Sequence, residues 1–385
     1  MWRHIASNAL NFLIVLTFLI GGVLLWGQRQ YTSAGPLADQ MCLRVKDGSN
    51  MRKVSVNLAD QGAVTNGSIF RMGANYSNKS NKLKAGSWLI PKAASMQNIV
   101  DSITRGGGST CGTEIVYRVG VTRVEVQLRE LDTKTNRYVE QLSFDIKSED
   151  EKPQLFETTM KNSGTRFRIA VAEGVTSWQI VDALKRVDAL EGEITEVPPE
   201  GSLSPDSYEF NSGATRSSII EKMEELQDVR LATVWESRAG NLPLETPDEL
   251  LILASIIEKE TGLPDERAKV ASVFINRLRR GMKLQTDPTV IYGVTEGRGI
   301  LKRGLRQSEL RSKTPWNTYI IDGLPPTPIA NPGVDSLRAA ANPDDTDFIF
   351  FVADGSGGHA FAETLAEHNK NVARWRKIEA ERGSE

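Results

Sequence analysis

Hydrophobic positions change their spacing several times along this chain. From Ile5 to Gln28 they run without a formal charge, and the core NALNFLIVLTFLIGGVLLW is long enough to cross a bilayer as one helix. Trp2 and Trp26 suit the two interfaces. A cleaved signal peptide is the alternative, but its best small-residue site, Thr32-Ser33-Ala34, lies late, which favours an uncleaved anchor. Arg3 on one side and Arg29 on the other barely decide orientation; the short tail before a long body favours tail in, body out. A polar tether follows, then a stretch from Val54 to Leu58 that reads as a strand. KLKAGSWLIPKAASMQNIVDSITRGG predicts strand, turn, helix and glycine stop, and the same order recurs in TRFRIAVAEGVTSWQIVDALKRV. Aligned on Ile99-Val100-Asp101 and Ile180-Val181-Asp182, the two units place Ser95 and Thr176 as matching helix caps. Between them, Val119 to Ile146 alternates with a period of two around the turn DTKTNR, which predicts an inserted β-hairpin or small sheet.

The period changes again at Thr246. TPDELLILASIIEKETGLPDERAKVASVFINRLRRG reads as two successive helices. Thr246 suits the N-cap, Pro247 the first helical position, and Glu249 would complete a capping box. Leu250 to Ile257 is apolar on every side, so this helix belongs inside its domain. Glu258 and Glu260 close it. A carboxyl carried on a buried helix is costly to ionise, and a raised pKa is what a general acid needs near neutral pH. The alternative is that both glutamates fray into solvent. Helical stacking puts Glu258 over Leu251, Ala254 and Ser255, a small-residue face with room for a ligand, and Glu260 over the bulkier Leu253, Ile256 and Ile257. That tilts the choice to Glu258. The second helix carries Ala268, Ala271, Phe274, Ile275 and Leu278 at helical spacing, and Arg277, Arg279 and Arg280 suit the dipole of its C-terminal end.

Beyond Gly281 come Gln285, Thr286 and Asp287, then TPWNTYIIDGLPPTPIANPG, whose proline and glycine density predicts an ordered irregular loop. Such loops often line sites. Asn317 and Tyr319 could bond and stack on a sugar; the alternative is that they satisfy loop backbone. Phe348 to Ala353 predicts a buried strand, and Thr364 to Lys377 a closing amphipathic helix.

Composition narrows the chemistry. The 385 residues hold more than one core, and a net charge of -2 gives no electrostatic case for nucleic acid. Three histidines, His4, His359 and His368, and two cysteines, Cys42 and Cys111, make no metal-ligand pattern, so neither a metal nor a cofactor is expected. The cysteines are equally compatible with one disulfide or two thiols. DGSGGH, from Asp354 to His359, lacks the Lys-Ser/Thr of a phosphate loop.

ASIIEKET, KVASVFINRLRRGMKLQTDPTVIYG, NTYIIDGLPPTPIANPG and FVADGSGGHAF, in this order behind an apolar N-terminal helix, resemble the YceG-like family of endolytic murein transglycosylases, the MltG type. The pattern covers roughly residues 236 to 370, and the GSWLIP and EGVTSWQIVDAL segments resemble that family's degenerate LysM-like region. The hairpin insert and the connection GSLSPDSYEF depart from simpler members. The resemblance implies an α+β fold: a tail over 1–8, a transmembrane signal anchor over 9–27 and a tether over 28–52. A first LysM-like unit over 53–111, the inserted hairpin region over 112–165, and a second LysM-like unit with its connection over 166–245 lead to a catalytic domain over 246–385.

For function, the resemblance implies a single-pass bacterial inner-membrane protein, N-terminus cytoplasmic and body periplasmic. It would cut the β-1,4 bond between N-acetylmuramic acid and N-acetylglucosamine in nascent peptidoglycan strands and leave 1,6-anhydro ends, terminating strand elongation. The family's catalytic glutamate is carried onto Glu258, with Gln285, Asn317 and Tyr319 as substrate contacts. Its partners would be glycan strands, the lipid bilayer and peptidoglycan synthases. One carboxyl suffices for such a reaction, because attack by the sugar's own C6 hydroxyl has high effective molarity. The rivals are a lysozyme-like hydrolase using Asp287 or Glu260 to activate water, and a membrane-anchored peptidoglycan-binding scaffold without activity. A pyridoxal-type lyase on Lys259 is more distant, since no phosphate cradle is visible.

Overall fold

The computed structural model describes residues 2–106, 109–148, 151–162 and 164–382, with side chains from residue 10 onward. The expectations for Trp2, Arg3 and the tail at 1–8 lie outside the described side chains. Chain contacts divide the protein into two compact units, the first taking Met1–Ile115, Gln127–Ser143 and Glu149–Phe167, the second Val116–Val126, Phe144–Ser148 and Arg168–Glu385.

The first unit begins with helix α1 (Trp2–Thr32). Its segment Leu10–Thr32 is long and apolar enough to cross a membrane, and none of it is buried. Strand β1 (Met41–Val45), helices α2 (Met51–Asp60) and α3 (Gly67–Tyr76), and strand β2 (Gly86–Ile90) follow. β1 and β2 pair antiparallel, Met41 opposite Ile90 and Val45 opposite Gly86. The expected tether over 28–52 is thus occupied by the end of α1 and by β1. The strand expected from Val54 to Leu58 is part of α2. Its buried residues, Met51, Val54, Ser55 and Leu58, recur at helical spacing, and Asn50 caps it by accepting from the Lys53 amide. Val56, the middle of the apparent alternation, is 51% exposed.

Helix α4 (Met96–Thr104) carries its Ser95 cap as expected. The core packs Leu43, Phe70, Trp88 and Ile99 together. Cys42 and Cys111 form a disulfide with Cα atoms 5.9 Å apart. Closing so long a loop stabilises the fold by about 4 kcal/mol in the chain-entropy account.

Strands β4 (Val124–Asp132) and β5 (Arg137–Asp145) lie within the alternating stretch, β3 (Thr113–Val119) precedes it, and a short helix α5 (Gln154–Met160) follows. With β6 (Arg166–Val171) and β8 (Ser207–Phe210) they form one sheet in the order β5-β4-β3-β6-β8. Helix α6 (Ser177–Lys185) opens on a capping box between Thr176 and Gln179. The two repeats therefore share strand, cap and helix, yet β2 lies in a two-stranded sheet and β6 in this larger one.

In the second unit, the short strands β7 (Leu190–Glu191) and β9 (Ala214–Thr215) pair in parallel. The helical body comprises α7 (Arg216–Glu236), α8 (Pro247–Glu260), α9 (Arg267–Arg279), α10 (Asp287–Thr295), α11 (Gln307–Leu310) and α12 (Val334–Ala341). Strands β10 (Phe350–Ala353) and β11 (His359–Ala362) and helix α13 (Leu365–Arg382) close the chain. Thr246 caps α8 by accepting from the Glu249 amide. The Glu249 carboxylate accepts from the Glu245 amide rather than closing the box. Every residue from Leu250 to Ile257 is buried, and with α9 and α12 they make this unit's core. β10 pairs only with β11 and is half-buried, because a two-stranded ribbon has one covered face.

Candidate functional site

The buried body of α8 determines what its last turn can offer. Successive helical residues point about 100° apart, so Glu258, Lys259 and Glu260 leave the core in three directions.

Glu258 turns into chain. Its Oε2 accepts from the Gly333 amide at 3.0 Å, and its Cγ lies 3.6 Å from the place a Cβ would take on Gly174. The small-residue face beneath it is filled as well: Ser255 Oγ accepts from the Ile329 amide at 3.0 Å. Lys259 donates to the Gly174 carbonyl at 3.2 Å, and burial lowers its ammonium pKa against the opposing pull of Glu258 and Glu200. Close by, Glu200 accepts from the Ser177 amide at 2.8 Å and the Tyr292 hydroxyl at 3.2 Å. Burial pushes its carboxyl up to about 7 despite those bonds.

Glu260 opens into a cavity of about 620 Å³ that it shares with Arg277, Gln285, Asp287, Tyr319 and Phe350. Burial raises its carboxyl pKa; the Thr286 hydroxyl, which donates to Oε1, works against that, and the charge of Asp287 adds to it. The Tyr319 hydroxyl donates to Asp287 Oδ1 at 2.7 Å, and burial raises its own pKa. Gln285 sits at φ 46, in the left-handed region, with its amide bonded to the Thr318 carbonyl at 3.1 Å. A non-glycine residue held there costs on the order of 1–2 kcal/mol, which marks the position as constrained by its surroundings.

The structure separates the expected site residues. Glu258 does not line the cavity that holds Gln285 and Tyr319; its neighbour two residues on does. Asn317 is fully buried and faces its own loop. Its Nδ2 donates to the carbonyls of Leu310 and Ser312 at 3.1 and 2.7 Å, and its Oδ1 accepts from the Tyr319 amide at 3.0 Å. It positions Tyr319 and is itself out of a ligand's reach.

Arg277 is the residue the sequence conceals. It is buried, donates through Nε to the Ile349 carbonyl at 2.7 Å and through Nη1 to the Leu284 carbonyl at 2.6 Å, and stands over the Phe350 ring. A basic residue near a helix C-terminus is too common to single it out. Among the described residues no cluster of His, Cys, Asp and Glu has the form of a metal site.

The sequence profile of the YceG-like family matches residues 43–374. The chain belongs to the YceG-like family. This YceG-like protein is 40% identical over 173 residues to the endolytic murein transglycosylase of Bacillus subtilis strain 168, covering 45% of its own length and 47% of that protein's. It is 25% identical over 397 aligned residues to the endolytic murein transglycosylase of Streptococcus pneumoniae strain D39, covering 96% of its own length and 65% of the relative's. The chain thus spans between about half and two thirds of the curated relatives it matches. It is also similar to a crystal structure of a YceG-like protein from Listeria monocytogenes, at 25% identity and a TM-score of 0.47, over 86% of this chain and 98% of that one.

Proposed function

We propose that this chain is a membrane-anchored endolytic murein transglycosylase and that Glu260, rather than Glu258, is its acid and base. The names of its two relatives support the activity. The observation that carries the residue is that Glu260 alone, of the three side chains ending α8, lines the cavity with Gln285 and Tyr319.

The chemistry follows from one buried carboxyl. Glu260, whose carboxyl burial shifts toward the acid form, gives its proton to the glycosidic oxygen between N-acetylmuramic acid and N-acetylglucosamine. The C1–O bond breaks with its electron pair leaving on that oxygen, and positive charge develops at C1. The Glu260 carboxylate then takes the proton of the muramyl C6 hydroxyl as O6 bonds to C1. The products are a 1,6-anhydromuramyl end and a free N-acetylglucosamine 4-hydroxyl; no water is consumed and the carboxyl is protonated again. Gln285 and Tyr319 line the walls for the sugar.

A second reading has its own observation. Asp287 shares the cavity, so two carboxyls are available for a hydrolase. Mass spectrometry of digested glycan strands separates the two: anhydromuramyl ends support the lyase, and reducing ends overturn it. If Glu260→Gln leaves cleavage unchanged, the residue assignment is wrong.

α1 supports anchoring in the membrane; the short tail at 1–8 before a long body favours a cytoplasmic tail and a periplasmic body. A cut made in strands still being extended would terminate them, which puts peptidoglycan synthases among the partners. The order β1, α2, α3, β2 over residues 41–90 supports a LysM-like unit whose last strand opens the first of the two repeats.

A further inference from the structure

We infer that α3 and the basic turn after it form a lipid-contact surface that lies on the same bilayer α1 crosses. The inference rests on reading α1 as a membrane span.

The end of α1 is built into the first unit. The Tyr31 ring packs against Gly73 so closely that a Cβ there would fall 2.2 Å from Cε2. Gln30 Oε1 accepts from the Thr65 hydroxyl at 3.3 Å, just ahead of α3. The following segment is fastened too: the Gly35 amide donates to the Ala93 carbonyl at 3.1 Å, and the Ala93 amide to the Leu37 carbonyl at 2.9 Å. α3 is therefore fastened to the end of α1 through Thr65, just ahead of it, and Gly73, within it.

Helix rise sets the depth. Tyr31 follows Trp26, the last large apolar residue of the span, by about 7.5 Å. The headgroup layer is about 5–8 Å thick on each side of the hydrocarbon. A helix packed on α1 at Tyr31 thus sits at headgroup level.

The outer face of α3 suits that depth. Ile69, Phe70 and Ala74 point into the core, while Met72 is 63% exposed and Tyr76, one turn on, is 94% exposed. Tyrosine with its ring in the acyl boundary and its hydroxyl in water is an interfacial residue. Lys82 and Lys84 follow, both exposed. From Gln61 to Val100 the chain carries Arg71, Lys79, Lys82, Lys84 and Lys92 and no acidic residue. Lys79 is paired with Asp101 at 2.6 Å, and the exposed Lys82 and Lys84 beside the apolar and aromatic tips are complementary to an anionic lipid surface.

The test uses the full chain in vesicles of phosphatidylethanolamine and phosphatidylglycerol. Because Cys42 and Cys111 are bonded to each other, Met72→Cys or Tyr76→Cys supplies the one free thiol for an environment-sensitive dye. The account expects about a twofold or greater loss of emission with headgroup-spin-labelled lipid, and iodide quenching at least about threefold below that of the free dye adduct. Lys82→Glu with Lys84→Glu should weaken the lipid quenching. Dyes at both positions that ignore spin-labelled lipid and meet iodide freely, on a chain that floats with the vesicles, overturn the inference. So does protection that arises only on adding glycan strands, which would make the occupant a polysaccharide. A chain that does not float refutes the anchor reading instead.

Discussion

Two sides of one helical turn differ more than their sequence suggests. On the Glu258 side, the small residues of α8 let chain approach: Gly174, Ile329 and Gly333 close over them, and the carboxylate is bonded to a backbone amide. On the Glu260 side, α9, α10, β10 and α13 leave a cavity lined by Arg277, Asp287, Tyr319 and His368. Small residues on a buried face make space, but chain can take that space as readily as a ligand. The open side is kept open by groups that are held elsewhere. Arg277 is tied to the Leu284 and Ile349 carbonyls, and Tyr319 is aimed by Asn317.

If the two sides divide chemistry from structure in this way, variants should sort accordingly. Glu260→Gln should lower glycan cleavage by about 10²–10⁴, the usual worth of a positioned acid and base, with unchanged far-UV circular dichroism. The pH profile on this side should follow the acid form: kcat/KM falls as pH rises through the raised pKa of Glu260.

The closed side should report in stability instead. Glu200 has its pKa raised by burial to about 7. A carboxyl raised in the folded state favours folding while it is protonated, so its contribution is complete below its unfolded value of about 4.5 and is lost as pH climbs to about 7. The change amounts to about 3 kcal/mol at most. Urea midpoints measured across that window should fall for the natural chain and stay flatter for Glu200→Gln.

Asn317→Ala should destabilise by about 2 kcal/mol, since it strands several buried loop carbonyls, and should raise KM through the displaced Tyr319. A stability loss with unchanged KM would detach the loop from the site. The smallest effect belongs to Tyr319→Phe, which removes the bond to Asp287. It should cost about tenfold in kcat/KM and leave the denaturation midpoint within about 0.5 kcal/mol of the natural chain.

Much of this architecture is legible in the residues. The caps at Ser95, Thr176 and Thr246 and the all-round burial of Leu250 to Ile257 follow from local chemistry and period, and both are observed. Val54 to Leu58 misleads because a five-residue window fits either period, and only the neighbouring Met51 and Asn50 reveal the helix. Gln285 and Tyr319 stand out as polar and aromatic residues in the irregular segments after α9, and both line one cavity. Asn317 looks the same in sequence yet points inward, since nothing local fixes which way a loop amide turns. The choice between Glu258 and Glu260 depends on Ile329 and Gly333, far along the chain, and no helical wheel contains them.

Release of 1,6-anhydromuramyl ends by Glu258→Gln and Glu260→Gln, assayed side by side on the same uncross-linked strands, tests the division most directly. The account predicts that Glu258→Gln keeps activity within about tenfold of the natural chain while Glu260→Gln loses about 10² or more. The reverse order, with both variants folded, would contradict it and return the acid to Glu258.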